Sequence, residues 1–493
     1  MEIQTAPAAQ NKFRGVLPAI RENWYGISIF LLFAAAFLVR VIHLNYNSPF
    51  SDEAIYVVIG RMGIFQLDWF SYNSQSWMAG LPYAYPPLSA IAYVSGGIIG
   101  SRFLNVVIGM LMLREVFVLT KFYAFEKKGR KSDVAAIIAV FIVAFSAISL
   151  FVTRLATYDA LSFFLLLYGM NHVLNAQYQK DGKFYFLGSL ALTLAYFTKV
   201  IVAAYIPLIV ALTFFTIIKD KDHIRLWKRY FFSPLVIGGL AYAFINLNGF
   251  LTYATNQAAR EHASIADIAG LIKYDAFFVL WMTGFSLLIA LINYKQSKNV
   301  LYLAAFASIL PAIHFVTHRY STLEKHVLLM IIFLAPIIGY AFAEISFDKI
   351  LRTRIVAISA LILVLGFYPF YEYQKMAAIE REWPNVDNVM AEISRDTKPD
   401  DKILTETGPA VILAAYDKTS PLNVSTFDYF EYGKFKNDDA YLQAVHDGYF
   451  DLIELNGKTE AKIELVKKIR AELGDKYKLS YSNAPFEIYE RIY

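Results

Sequence analysis

Several runs of about 20 apolar residues dominate this sequence, and each is long enough to cross a lipid bilayer as a helix. The chain has 57% hydrophobic and 18% charged residues, which leaves too little polar surface to cover a water-soluble fold. The predicted fold class is therefore an α-helical multi-pass membrane protein. Apolar runs read against charge clusters give about 11 transmembrane helices, at about 26–44, 104–123, 134–152, 158–176, 184–198, 200–218, 231–252, 273–294, 299–317, 326–343 and 354–371.

The distribution of Lys and Arg predicts the orientation in the membrane. With the N-terminus in the cytoplasm, most Lys and Arg residues of the loops fall on the cytoplasmic side, including the cluster at 127–131. The basic leader before the first apolar run carries no small-x-small cleavage site, so that run is expected to remain as the first helix. We therefore predict a multi-pass protein of the plasma membrane, with residues 372–493 outside the cytoplasm.

Two local features stand apart from this pattern. The apolar stretch 88–100 is too short to cross a bilayer and contains three glycines, so it is expected to form an outer juxtamembrane helix. Arg114 and Glu115 lie near the middle of the second predicted span, where charge is costly, and the sequence offers no explanation for them.

The composition changes after Tyr371, which divides the chain into two predicted domains. Residues 1–371 form the transmembrane domain with a long outer loop at 45–103, and residues 372–493 form a small extracytoplasmic α/β domain. Strand-like runs are expected at 402–406, 422–427, 450–455, 476–482 and 486–492, and helices near 385–396, 409–416, 438–447 and 459–473.

Charge and cysteine content exclude several classes of function. The net charge is only +5 and the basic residues are dispersed, which argues against nucleic-acid binding. The sequence has no Cys, which excludes disulfides, thiolate metal sites and a Cys nucleophile.

An acidic pair opens the long outer loop. A carboxylate at Asp52 or Glu53 could act as a general base on an acceptor hydroxyl if it lies within hydrogen-bonding reach. The structural alternative is that the two acids cap and stabilise the start of the amphipathic helix that follows.

Basic and polar residues recur at later turns on the same side of the membrane. Arg154 and Asp159 could simply pair with each other, Lys199 could be an interfacial anchor, and Tyr85 before two prolines could mark a rigid helix start. If these turns converge with the cluster around Arg319 and Lys325, positive charge would surround the acids beside the lipid. Such a site suits an amphiphile with a phosphate or pyrophosphate head.

Four segments in order carry a family resemblance. Arg40 is followed by SDEAIY at 51–56, YPPL at 85–88, TRLATYDALSFFLLL at 153–167 and FTK at 197–199. Residues 25–220 thereby resemble the GT-C superfamily of glycosyltransferases, in particular the protein O-mannosyltransferases and lipid A aminoarabinose transferases.

The resemblance implies a function and roles for individual residues. It implies an inverting transfer of a sugar from a polyprenyl or dolichyl phosphate carrier to a protein, lipid or glycan acceptor outside the cytoplasm. Asp52 takes the place of the catalytic base beside Glu53, Arg154 and Asp159 match the family's hairpin pair, and Lys199 matches a lysine near the carrier phosphate. The residues predicted to bind the carrier phosphate or the sugar are Arg40, Tyr85, Arg154, Asp159, Lys199, Arg319, Lys325 and His326.

The chain departs from the family at several positions. Tyr85 stands where a His or basic residue is common, and His326 stands where a Tyr commonly follows the basic residue. No acid-x-acid motif lies in the first outer loop, and the WWDYG-type signature of oligosaccharyltransferases is absent from 372–493. We therefore predict no obligatory metal or cofactor, because Arg and Lys alone can meet the phosphate charge.

Two other classes of function remain open from the sequence. A transporter or flippase of a lipid-linked anion could use the same basic residues, although transporters tend to show repeated halves and charges near the middle of the membrane. A scaffold that uses the α/β domain for docking is the third possibility.

Overall fold

A computed structural model shows a helical bundle followed by a small α/β domain. It describes residues 16–71, 78, 81, 83–124, 129–258, 262–320, 322–347, 351–428, 430–457 and 463–492. The helices of the bundle are α1 (Val16–Val41), α2 (Ser51–Phe65), α3 (Pro86–Tyr123), α4 (Arg130–Phe145), α5 (Ala147–Arg154), α6 (Tyr158–Gln179), α7 (Gly182–Thr198), α8 (Ile206–Ile217), α9 (Lys221–Trp227), α10 (Ser233–Ala258), α11 (Ile265–Ile292), α12 (Tyr294–Thr317), α13 (Leu323–Ser346) and α14 (Leu351–Ile379).

The length and composition of these helices confirm an integral membrane protein. Within the described residues, seven helices are long and apolar enough to cross a bilayer, or eight if α4 and α5 are one bent span. Helix α13 lies at the centre, since every residue of its most apolar stretch is buried, and it packs against α4, α11 and α12. The larger number of spans read from the sequence stays a prediction.

Helix α3 is broken near its start by two glycines. Gly96 has φ −156° and ψ 23°, and Gly97 has φ +61°, a conformation that favours glycine. The hydroxyl of Ser101 donates to the carbonyl of Ser89 at 2.8 Å, although a straight helix would hold these residues about 18 Å apart. The first part of α3 therefore folds back against the second, as expected for a short helix separate from the span.

The ion pair that the sequence left unexplained joins a buried acid to a basic side chain that is 57% exposed. Glu115 is buried and pairs with Arg114, and it also accepts a hydrogen bond from Asn171 of α6 at 2.8 Å. The charge on α3 is thus partnered in place and links α3 to α6.

Within its described residues, the C-terminal domain has four α-helices and two sheets. The helices are α15 (Asp387–Asp396), α16 (Pro409–Ala415), α17 (Asn437–His446) and α18 (Ile463–Glu472), and the strands are β1 (Ile403–Thr405), β2 (Val424–Thr426), β3 (Glu431–Tyr432), β4 (Phe435–Lys436), β5 (Leu452–Leu455), β6 (Tyr477–Asn483) and β7 (Phe486–Arg491). The main sheet has the order β2-β1-β5-β7-β6, parallel among β2, β1 and β5 and antiparallel from β5 through β7 to β6.

The predicted α/β elements of this domain are confirmed, and the short β3–β4 hairpin is an addition that the sequence does not predict. The start of the last predicted helix, at 459–462, lies outside the described residues. Helix α14 runs on to Ile379, so the domain boundary expected at 371/372 falls inside that helix.

Helix α2 is held between the bundle and the C-terminal domain. A Cβ atom at Gly60 would lie 2.1 Å from the carbonyl oxygen of Pro86, so α2 and α3 touch backbone to backbone. The other side of α2 shares a buried apolar cluster with α15 and α16 of the C-terminal domain. Arg61 of α2 also pairs with Asp417 and lies 3.9 Å from the centre of the Tyr416 ring.

Candidate active site

Four charged side chains from four helices meet in one network. The Nζ atom of Lys325 lies 2.7 Å from Oδ2 of Asp52 and 3.8 Å from Oδ2 of Asp159. Asp159 pairs in turn with Lys199 and accepts a hydrogen bond from the Thr157 hydroxyl at 2.8 Å. The order Asp52, Lys325, Asp159, Lys199 is therefore a continuous chain of opposite charges.

All four residues lie at helix ends. Asp52, Asp159 and Lys325 are in the first turns of α2, α6 and α13, and Lys199 follows the last residue of α7. The N-terminal end of a helix stabilises a carboxylate, which suits the two acids. Each acid thus has a local reason for its position, whereas Lys325 at a helix start depends on the two acids for its counter-charge.

The four side chains differ in their access to solvent. Asp52 has 39% of its side chain exposed, whereas Asp159 and Lys199 have 2% and 3%. Lys325 is at 11%. Asp52 is thus the one carboxylate of this network that a molecule entering from outside can reach directly.

The rings of three tyrosines pack together beside Asp52 and Asp159. Tyr56 packs against Tyr158 with ring centres 4.9 Å apart and against Tyr85 at 6.0 Å. Lys199 lies 5.4 Å from the centre of the Tyr158 ring. The structure thus places Tyr85, which the sequence singled out, behind Tyr56 in a buried position.

Glu53 has a different environment from Asp52. Its side chain is fully buried and forms a two-pronged ion pair with Arg102, at 2.9 Å to Nε and 2.7 Å to Nη2. It also accepts hydrogen bonds from the backbone N–H groups of Phe50 at 2.8 Å and Ala156 at 2.7 Å. With both oxygens occupied, Glu53 fixes the starts of α2 and α6, and its predicted catalytic role stays a prediction.

Arg102 completes this arrangement by binding the loop before α2. Its guanidinium donates to the carbonyl oxygens of Leu44, Asn47 and Ser48 at 2.8 to 3.1 Å. A buried guanidinium can satisfy several carbonyls at once because its donors have a fixed planar fork. The Glu53–Arg102 pair therefore holds the loop from which Asp52 projects.

Two further arginines that the sequence assigned to substrate are engaged elsewhere. Arg154 pairs with Glu380 at 2.9 Å and donates to the carbonyls of Val39 and His43 at 3.0 and 2.9 Å. Arg154 therefore does not pair with Asp159, and both of its neighbours along the chain are buried. These contacts join α1 to the residue that follows α14, and the predicted binding of a carrier phosphate or sugar by Arg154 stays a prediction.

Arg40 is likewise buried within the bundle. It donates to the hydroxyls of Thr153 and Ser149 at 2.9 and 3.1 Å and to the carbonyl of Ala36 at 2.9 Å. These contacts join α1 to α5, and the side chain has no exposure to any ligand. Arg40 thus has a structural role in this arrangement, and its predicted substrate role stays a prediction.

The last predicted cluster lies where α12 turns into α13. His326 is buried and forms a 2.8 Å hydrogen bond with His314 of α12. Arg319 lies in the turn between the two helices and is half-buried, and its backbone carbonyl bonds to His314 at 2.6 Å. His326 thus directly follows Lys325 of the network in the sequence. Arg319 lies six residues before Lys325, in the turn that precedes α13.

Sequence reasoning missed five residues that the structure brings to this region. They are Arg102, Glu380, His314, Tyr56 and Tyr158. Tyr56 and Tyr158 stand within quoted motifs and could have been found as the neighbours of Asp52 and Asp159 on the same helical turns. For Arg102 and Glu380 the local sequence carries no signal, because their partners are distant in the chain.

An apolar groove has the residue after Lys199 in its lining. It has a volume of about 600 Å³ and lies between α10 and the segment formed by the 3₁₀ turn Val200–Tyr205 and α8. Val200, which lines the groove, is the residue after Lys199. The backbone at Lys199 and Val200 thus connects the charged network to an apolar surface.

The prediction that no metal is required stays a prediction. Among the residues that the structure describes, no group of three or more His, Cys, Asp or Glu side chains is arranged to hold a metal ion.

Comparison with known proteins gives structural relatives and no sequence relatives. No family model matches the chain, and no curated protein matches it either. The structure is similar to that of ArnT from Cupriavidus metallidurans bound to undecaprenyl phosphate, with a TM-score of 0.63 and 12% identity over 94% of this chain and 98% of that one.

A second solved structure has the same kind of bundle. The oligosaccharyltransferase of Archaeoglobus fulgidus tethered to an acceptor peptide matches with a TM-score of 0.56 and 12% identity, over 94% of this chain and 73% of that one. These similarities show a shared fold, and they confirm the fold expected from the four sequence segments.

Proposed function

We propose that this chain, which has the GT-C fold, is a membrane glycosyltransferase that moves a sugar from a polyprenyl phosphate carrier to a hydroxyl group of an acceptor. The observation that carries the proposal is the network of Asp52, Lys325, Asp159 and Lys199, in which one accessible carboxylate stands beside two buried ammonium groups. A base for the acceptor and positive charge for a leaving phosphate are the two requirements of such a transfer.

The two lysines and the apolar groove support a lipid phosphate as the donor carrier. Lys199 and Lys325 are the charges that can bind a phosphate, and the groove starting at Val200 can hold the first isoprenoid units. The similar ArnT structure is bound to undecaprenyl phosphate, and a structure of the A. fulgidus oligosaccharyltransferase contains a dolichol-phosphate. Both ligands have the head and tail that this arrangement suits.

The proposed reaction is a single displacement at the anomeric carbon. The acceptor oxygen bonds to that carbon while its proton passes to Asp52. The bond between the anomeric carbon and the phosphate oxygen breaks, and its electron pair leaves with the phosphate next to Lys199 and Lys325. Attack opposite the leaving group inverts the configuration.

Asp159 has a positioning role in this scheme. It lies between the two lysines and is itself held by Thr157, so it keeps both ammonium groups at one place in the absence of substrate. A buried lysine without a counter-charge would be strongly destabilising.

The sidedness and the acceptor are part of the proposal. The excess of Lys and Arg in alternate loops supports a site on the non-cytoplasmic face of the plasma membrane. The acceptor is a protein, lipid or glycan hydroxyl, and the C-terminal domain, which packs on α2, borders its route to Asp52.

The position of the charges also favours an enzyme over a transporter of lipid-linked anions. The network holds a carboxylate that is 39% exposed beside its ammonium groups, which suits proton transfer from an acceptor, whereas transport of an anion requires only the positive charges. A transporter would release no carrier from a sugar donor.

The test is an Asp52→Asn variant of the full-length protein in lipid nanodiscs. A panel of polyprenyl-phosphate sugars serves as donors, a membrane extract supplies acceptors, and release of the free carrier phosphate is measured. We expect the rate to fall by about 10²- to 10⁴-fold, because the acceptor loses its general base.

Asp222→Asn is the matched control, because this carboxylate is 90% exposed on α9 and lies outside the network. It should release carrier at the wild-type rate. Near-normal release by Asp52→Asn would remove Asp52 from the role of base, and no release by the wild-type protein from any donor would contradict the function.

A further inference from the structure

Two histidines at the turn between α12 and α13 form a directed hydrogen-bonded pair. His314 lies in the last turn of α12 and His326 in the first turn of α13. The Nε2 atom of His314 lies 2.8 Å from the Nδ1 atom of His326, and the ring centres are 5.1 Å apart. Both side chains are buried.

The hydrogen-bond partners fix the proton positions on both rings. Nδ1 of His314 lies 2.6 Å from the carbonyl oxygen of Arg319, which can only accept, so that nitrogen carries a proton. In a neutral ring, Nε2 of His314 then has a lone pair, and Nδ1 of His326 must donate to it. It follows that Nε2 of His326 is a lone pair and can only accept a hydrogen bond.

The surroundings favour neutral rings. The imidazole of His326 lies within electrostatic range of Lys199, Lys325 and Asp159. In the network, the two lysines are already balanced by Asp52 and Asp159. Another positive charge on a buried ring would therefore have no counter-charge.

The lone pair of His326 has no hydrogen-bond partner in the part of the chain that the structure describes, although the atom is buried. Buried polar atoms in folded proteins are nearly always paired, so an isolated one beside a charged cluster calls for a ligand. The phosphate of a sugar donor is a diester without an O–H group, so its oxygens only accept hydrogen bonds and cannot pair with this lone pair. The ligand group must be a donor, and hydroxyl groups are the donors that sugars and their acceptors supply.

We infer that Nε2 of His326 accepts a hydrogen bond from a substrate hydroxyl, and that His314 holds the ring of His326 in the tautomer that makes this possible. The inference rests on the proposed function and narrows it. His326 becomes a specificity-determining residue that recognises a hydroxyl, and His314 a positioning residue. The carrier phosphate is left to the lysines.

Two substitutions separate the two nitrogens of His326. His326→Asn places an amide near the Nδ1 position, so it can still donate to His314 but offers nothing at the Nε2 position. His326→Gln places its amide oxygen near the Nε2 position and so restores an acceptor there. The two variants are similar in polarity, which makes each a control for the stability of the other.

The experiment measures binding and transfer by the full-length protein in nanodiscs. If the hydroxyl belongs to the sugar, His326→Asn should bind a polyprenyl-phosphate sugar about tenfold more weakly and bind bare polyprenyl phosphate as the wild type does. If it belongs to the acceptor, donor binding stays unchanged and the KM for the acceptor rises by about tenfold. In both cases His326→Gln should stay within about threefold of the wild type.

The outcomes distinguish this inference from the proposed function. An active wild-type protein whose Asn variant has unaltered donor binding and acceptor KM would overturn the role of His326. Equal losses in the Asn and Gln variants would also overturn it, since the acceptor atom would then not be what matters. A wild-type protein that releases no carrier from any sugar donor would contradict the proposed function itself.

Discussion

Asp52 and Glu53 are neighbours in the chain, and the structure gives them opposite surroundings. Glu53 is fully buried and accepts hydrogen bonds from Arg102 and from two backbone N–H groups. Asp52 is 39% exposed and pairs with one lysine. Adjacent residues of a helix point about 100° apart, so one acid faces the packed interior and the other faces the opening. Sequence proximity of two acids therefore says little about whether they share a role.

The basic residues also differ in this way, because the buried arginines hold the backbone and the lysines pair with the acids of the network. Arg40, Arg102 and Arg154 each donate to backbone carbonyls of α1 or of the loop that follows it. Lys199 and Lys325, by contrast, pair with the acids of the network. A guanidinium with five donors suits a fixed structural junction, whereas an ammonium group can exchange one anionic partner for another. The lysines are thus the charges that remain available for a substrate.

The largest difference that we expect between variants of Glu53 and Asp52 is in the free energy of unfolding. Glu53→Gln should lower the free energy of unfolding by about 3–5 kcal/mol, because Arg102 would be left buried without its counter-charge. Asp52→Asn should lower it by less than Glu53→Gln does, since Asp52 is 39% exposed and Lys325 keeps Asp159 as a second carboxylate 3.8 Å away. Thermal unfolding in one detergent, followed by intrinsic fluorescence, measures both.

Equal losses of stability in these two variants would show that the two acids do not divide structure from chemistry. Activity measured on the folded fraction keeps the comparison independent of expression level, because only Asp52→Asn should lose turnover in molecules that remain folded.

A smaller effect is expected at the contact between α2 and the C-terminal domain. Asp417 pairs with Arg61 but is 73% exposed, so Asp417→Asn should cost less than about 1 kcal/mol, and less still at high salt. Unfolding curves at low and high ionic strength measure the difference. A loss as large as that of Glu53→Gln would mean that this ion pair, and not the apolar face of α2, holds the domain in place.

The smallest effect concerns a buried acid far from the network. Glu454 of β5 is fully buried and accepts hydrogen bonds from Thr405 and Thr407, and burial raises the pKa of its carboxyl above the usual value. A raised pKa in the folded state means that the folded domain binds the proton more tightly. This contribution to stability is complete at acidic pH and is lost as the pH rises through the folded-state pKa.

Glu454→Gln should therefore weaken the decline in stability of the sheet as the pH rises, because the amide has no proton to lose. Hydrogen exchange of the β5 amides, followed by mass spectrometry over a range of pH, reports this locally. The same pH dependence in the variant and the wild type would show that Glu454 is not the group responsible.

The helices and most of the α/β domain could be predicted because their signals are local. Apolar runs and strand-like runs are properties of consecutive residues, and the structure has elements at the expected places. The β3–β4 hairpin was missed because each strand has only two residues, Glu431–Tyr432 and Phe435–Lys436. Such a short pair has no periodicity to detect.

The partners within the site could not be predicted because they are distant along the chain. The sequence suggests an ion pair between Arg154 and Asp159, five positions away. The ionic partner of Arg154 is instead Glu380, the residue after α14. Glu53 likewise pairs with Arg102 across the whole outer loop. The residues named for the network, Asp52, Asp159, Lys199 and Lys325, were named from helix ends and from family resemblance, and the structure brings these four together. Their catalytic and binding roles stay predictions.

Helix α2 has one more implication, for how this molecule could be modified. It carries Asp52 at one end, presses its backbone on α3 through Gly60, and offers its opposite side to α15 and α16. A chimera that exchanged the residues after α14 for those of another protein would change the contacts of α2. It would thereby change the orientation of Asp52. The C-terminal domain and Asp52 are structurally coupled through α2. New acceptor preferences are therefore better sought by surface substitutions on α16 than by exchange of the whole domain.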